Sequence, residues 1–219
     1  MKIKISVFIL IFFCNMGILT EKVSANTNLQ TLVNGIEKHY DVSNLSADFS
    51  QTATVKAMDI RDFASGKVYI KPPNRIRWEY ETPEQNIFIS NGYELWIYKP
   101  EDNQVMTGSA SDFFGHGNKG ANFLSDIRLI RKNFTISEEK KLNNKSVLKL
   151  VPRNRSADLS VVYITVLVRT FDIIKITTIN SYGDETVIEL SNVRFKQEID
   201  DSLFNFKIPD NTEILQLNE

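Results

Sequence analysis

Between residues 75 and 80 the chain alternates strictly, Arg75-Ile76-Arg77-Trp78-Glu79-Tyr80. In an extended strand this puts Ile76, Trp78 and Tyr80 on one face and the charged side chains on the other. The segments NIFIS at 86–90 and YELWIYK at 93–99 are again short, β-branched or aromatic, and bounded by Pro, Gly or Asn. The same reading predicts strands over 45–55, 64–71, 75–82, 86–91, 93–99 and 103–110, then over 134–142, 146–152, 160–169, 171–180 and 185–196, with a short one near Phe204 to Ile208. Gaps this short imply antiparallel hairpins.

Two segments break the pattern. LQTLVNGIEKHY at 29–40 places Leu29, Leu32, Val33, Ile36 and Tyr40 on one helical stripe, and Phe123, Leu124, Ile127 and Ile130 recur at helical spacing within 111–134. The predicted fold is mainly β with a helical accessory. About twelve strands in one antiparallel sheet must curl, because strand twist accumulates, so the sheet is expected to form a partial or complete barrel. Its inner face would gather Ile76, Trp78, Tyr80 and their neighbours, and would either pack solid, the usual fate of strand aromatics, or enclose a ligand space. The helices offer a cover for an open mouth.

The N-terminus reads as an export leader: Lys2 and Lys4, an apolar run from Ile5 to Phe13, then Val23-Ser24-Ala25 as a small-residue cleavage site. The apolar run is short of the roughly 20 residues that a membrane span needs. Residues 1–25 are therefore expected to be removed, leaving 26–219 as a single domain. Cys14, the one cysteine, falls inside the leader, and Phe13 before it does not suit a lipid-attachment site. The leader holds three lysines and one glutamate, so 23 of the 26 basic and 26 of the 27 acidic residues remain, a formal charge of −3. That balance argues against nucleic acid as a partner.

Catalytic chemistry is sparse. His39 and His116 are the two histidines, too few for a multi-histidine metal site, and no Gly-x-Ser-x-Gly elbow supports a hydrolase. Gly115 to Gly120 matches Gly-x-Gly-x-x-Gly, but it interrupts a hairpin-rich pattern instead of opening a βαβ unit, so a loop is the better reading.

Four stretches taken together resemble the LolA family of periplasmic outer-membrane lipoprotein carriers: LSADFSQT at 45–52, GKVYIKPPNRIRWEY at 66–80, IFISNGYELWIYKPEDNQV at 87–105 and FKIPDNTEIL at 206–215. The most specific parts are Lys-x-Pro-Asn-x-x-x-Trp from Lys71 to Trp78, Asn-Gly-x-x-Leu-Trp-x-Tyr from Asn91 to Tyr98, and Phe-x-x-x-x-Pro from Phe204 to Pro209. The resemblance implies an incomplete barrel with a helical lid over an acyl-chain cavity. Ile76, Trp78 and Tyr80 would form its wall, and Leu32, Ile36, Leu124 and Ile127 the lid.

It further implies a periplasmic monomer that is not an enzyme and needs no cofactor or metal. Its cargo would be lipid-modified proteins, its donor an ATP-driven inner-membrane complex and its acceptor an outer-membrane receptor. A lipid sensor on the same fold, acting through a partner protein, is the alternative. One departure stands out: family members commonly carry Arg where this chain has Pro72, and that Arg is thought to latch the lid. Proline has no side-chain donor, so Lys71, Arg75 or Arg77 become the candidates to compensate, although alternation puts Arg75 and Arg77 on the face away from Trp78.

Overall fold

The computed structural model describes residues 20–41, 44–115, 127, 129–154 and 156–217. Helix α1 (Thr20–Asp41) precedes six strands, β1 (Leu45–Val55), β2 (Ile60–Lys71), β3 (Arg75–Thr82), β4 (Asn86–Asn91), β5 (Glu94–Lys99) and β6 (Gln104–Ser109). Two short helices follow, α2 (Ala110–Gly115) and α3 (Leu129–Asn133). The chain then forms β7 (Phe134–Leu142), β8 (Lys145–Pro152), β9 (Val161–Leu167), β10 (Ile173–Ile179), β11 (Glu185–Phe195), a 3-10 turn (Asp201–Phe204) and β12 (Glu213–Gln216).

All twelve strands belong to one sheet, in the order β12-β6-β5-β4-β3-β2-β1-β11-β10-β9-β8-β7. The chain meanders out to β6, which β12 later flanks, and resumes at the opposite edge with β7. From there it meanders back until β11 pairs with β1. The sheet is strongly curled and does not close, as the twist argument leads one to expect of an antiparallel sheet this wide. Local chemistry sets the turns. At the β4–β5 hairpin Gly92 takes φ +95°, while the Asn91 side chain accepts from the N–H groups of Tyr93 at 2.9 Å and Glu94 at 2.8 Å.

The inner face, defined as the one that carries the helices, holds a continuous apolar core. Leu45, Ala47 and Phe49 of β1, Val68 and Ile70 of β2, and Ile76 and Trp78 of β3 join Leu148 and Leu150 of β8 and Ile164 of β9. Leu32, Val33, Ile36 and Tyr40 of α1 and Ile130 of α3 cover them.

The outer face over β4–β6 is also apolar, and here the sequence reading needs correcting. Phe204 to Ile208, expected as a strand, opens in the 3-10 turn and continues without strand structure. Its alternation serves a different end. Phe206 and Ile208 cap a second cluster of Ile89, Trp96 and Val105, with the Phe206 ring 5.2 Å from Tyr98 and 6.3 Å from Trp96. The last strand is β12, which pairs in parallel with the edge of β6.

Charged residues of β2 and β3 hold this C-terminal segment in place. Lys71 donates to the carbonyl of Ile199 at 2.9 Å and to the Asp201 carboxylate, Arg75 to the same carboxylate at 2.9 Å, and Arg77 to the carbonyl of Leu203 at 3.1 Å. The Lys71 ammonium, with Arg75 behind it, holds the Asp201 carboxyl below the usual carboxylate range.

Helix α1 extends beyond the predicted 29–40 at its N-terminal end. Of the second predicted helical stripe, Phe123 and Leu124 lie outside the described residues, as do the rest of 116–126 and 128; Ile127 stands in a turn and Ile130 in α3, while α2 precedes the stripe.

Candidate functional site

The candidate site is the inner face of β1–β4 and the helices over it. Strand alternation places Ile76 and Trp78 there, at 1% and 6% exposure, and register extends the surface sideways: Trp78 stands opposite Val68 on β2 and Phe88 on β4. Tyr80 is half-buried at the end of the row, its hydroxyl 3.2 Å from Gln51 Oε1, and burial pushes that hydroxyl's pKa up. Phe49 stands between the two larger rings, edge-on to Trp78 at 4.7 Å and to Tyr80 at 5.0 Å. Phe88 meets Phe113 of α2 at 5.2 Å.

Leu32, Ile36 and Ile127 are buried in the same cluster as Ile76 and Trp78; Leu124 lies outside the described residues. Pro72 sits in the turn between β2 and β3, and Lys71, Arg75 and Arg77 all reach the C-terminal segment on the outer face. The Arg75 and Arg77 side chains thus lie where alternation placed them. Phe49, Phe88 and Phe113 were not singled out in the sequence, although the Leu45, Ala47, Phe49 alternation carries the signal for the first.

Helix α1 is secured by contacts from distant parts of the chain. Its C-terminal end docks on the β9–β10 turn, with His39 Nε2 and Asp172 Oδ1 2.8 Å apart and the N–H of Ile173 donating to the Tyr40 hydroxyl at 2.8 Å. Burial raises the Tyr40 pKa despite that backbone bond. Phe195 packs beneath both side chains, 4.1 Å from the His39 ring and 5.3 Å from that of Tyr40. On its flank, Arg131 of α3 donates from Nε to Glu37 at 2.7 Å, from Nη1 to Gln30 at 2.8 Å and from Nη2 to Asn34. One guanidinium therefore grips residues spaced along one helical stripe. No pattern in the sequence marks Arg131, because its partners are 94 to 101 positions away.

Among the described residues no three His, Cys, Asp or Glu side chains come together as a metal site. The arrangement offers instead a wide apolar surface beneath helices that pack on it through Leu32, Val33, Ile36 and Ile130 and are tied by polar contacts at their margins.

Residues 40–207 match the model of the family described as outer membrane lipoprotein carrier protein LolA. An outer-membrane lipoprotein carrier protein of Azotobacter vinelandii is 27% identical over 173 residues, covering 78% of this chain and 81% of the relative. That of Alkalilimnicola ehrlichii is 26% identical over 224 residues, covering 99% and 97%. Among solved structures, a conserved protein from Thermus thermophilus superposes with a TM-score of 0.55 at 14% identity, covering 86% of this chain and 98% of that one, and so shares the fold. With the family match spanning most of its length, the chain belongs to the outer membrane lipoprotein carrier protein LolA family.

Proposed function

We propose that this protein is a periplasmic chaperone that takes lipid-modified proteins from an ATP-driven inner-membrane complex and passes them to an outer-membrane receptor. It would hold their acyl chains between the inner sheet face and the helices. The observation that carries this reading is the cover itself. The apolar inner face of the open sheet, Ile76 and Trp78 included, shares one buried core with residues of α1 and α3 rather than with a second sheet. The helices take no part in the strand ladder, so they can lift without breaking it.

Each methylene buried there contributes about 0.8 kcal/mol, so one long acyl chain supplies on the order of 10 kcal/mol without any reaction. Release needs an opposing term, and closure of the helices over the empty face supplies one, since apolar contacts among the helices and the sheet compete with the acyl chains for the same surface. Arg131 takes the part of the latch that Pro72 cannot play, from the helix side rather than the strand side. Replacing Arg131 with Ala strips α1 of three hydrogen bonds. The empty protein is then expected to bind an apolar dye such as bis-ANS several-fold more strongly, with its strand content unchanged by circular dichroism. Unchanged dye binding would remove Arg131 from this role.

Export is part of the same reading. Mass spectrometry of the periplasmic fraction is expected to find an unmodified chain that begins near Asn26 and lacks Cys14. A diacylglyceryl-modified chain would instead make the protein a membrane-anchored receptor.

A further inference from the structure

Where α1 passes over the edge strand β7, the two leave a cleft of about 280 Å³. Leu29 and Val33 of α1 and Phe134 and Ile136 of β7 supply its apolar lining, and Arg131 and Arg153 line it as well. In the strand order β7 is seven places from β3; Val33 and Phe134 reach the same buried core as Ile76 and Trp78, and the cleft opens at the far margin of that core. Charge is unbalanced here. Arg131 is neutralised by Glu37, while Arg153, just past the end of β8, is exposed and has no carboxylate partner among the described residues.

We propose that this cleft is a second binding site, for a small amphiphile with an anionic head, carboxylate or phosphate, on a short alkyl chain. A guanidinium presents paired N–H donors that match either head, and the apolar lining takes the first few carbons. The volume is too small for a whole acyl chain, falling below the roughly 300–1,000 Å³ of pockets that enclose a drug-sized ligand. Arg131 also lines the cleft, so the cleft and the seat of α1 share one residue. The site does not depend on whether the inner face takes acyl chains.

The test is amide-resolved NMR titration of the mature protein with decanoate and decyl phosphate. Decyl maltoside serves as the neutral-head control and inorganic phosphate as the head alone. Decanoate and decyl phosphate are expected to shift amides at 29–33 and 134–136. Arg153→Glu, an exposed substitution checked for folding by circular dichroism, should weaken both at least tenfold and leave decyl maltoside unchanged, and Arg153→Lys should retain part of the affinity. Anion-driven shifts that survive Arg153→Glu overturn the site. Inorganic phosphate binding as tightly as decyl phosphate overturns the amphiphile assignment, as does an equal response to decyl maltoside.

Discussion

Placing Glu at Phe88 is expected to abolish lipoprotein capture while leaving a folded protein. Phe88 is half-buried on the inner face, opposite Trp78 on the neighbouring strand and against Phe113 of α2, so a carboxylate there projects into the space assigned to acyl chains. With alkyl chains around it the charge has no partner, and its burial costs several kcal/mol of binding. In the empty protein the same side chain can turn toward water, so folding is affected less. Ile76→Glu makes a poorer probe: at 1% exposure the carboxylate is trapped in the core whether or not ligand is present. The measurement is soluble lipoprotein complex formed per mole of carrier, beside a thermal melt. Capture at the wild-type level by Phe88→Glu would show that β4 does not line the ligand space.

The second large effect is expected at Gly35. A Cβ there would stand 2.3 to 2.6 Å from three carbons of the Phe171 ring, far inside contact distance. Phe171 cannot simply yield. Its φ is +66°, its N–H donates to the Leu167 carbonyl at 2.8 Å, and its ring packs against the main core. Gly35→Val must therefore lift α1 off the β9–β10 turn and weaken the His39–Asp172 and Tyr40–Ile173 contacts along with it.

Overpacking of this kind costs about 1–3 kcal/mol, and at this chain length each kcal/mol lowers Tm by about 2–4 °C. Dye binding should rise in parallel, because the same helix covers the inner face. Phe171→Ala removes the obstructing ring, so the double variant is expected to be clearly more stable than the sum of the two single changes allows. Strict additivity would mean that Gly35 and Phe171 are not the seat of the helix.

The curled open sheet, its helical accessory and the inward-facing placement of the 76, 78, 80 row were legible in the sequence because each rests on period: two for strands, near 3.6 for the stripe Leu32, Val33, Ile36 and Tyr40. Period alone is blind to pairing across the chain. It placed a strand at Phe204 to Ile208, since alternation there reports burial against Trp96 and Tyr98 and carries no information on ladder bonds.

It also treated β3–β5 as having one apolar face. Ile89 and Trp96 occupy the second face, and only the return of the C-terminal segment explains why they can. Arg131 and the Gly35–Phe171 contact were invisible for the same reason: each joins positions about a hundred or more residues apart, and neither residue looks unusual where it stands in the sequence.

Transfer of a lipid-modified protein out of a membrane can be measured directly. Inner-membrane vesicles carrying the ATP-driven releasing complex and a labelled lipoprotein are incubated with the purified mature protein and ATP, then sedimented. The label is expected in the supernatant as a one-to-one complex with this protein, dependent on ATP and lost with Phe88→Glu. If the protein binds lipid but the lipoprotein stays with the vesicles, it is a sensor on a carrier fold and not a carrier.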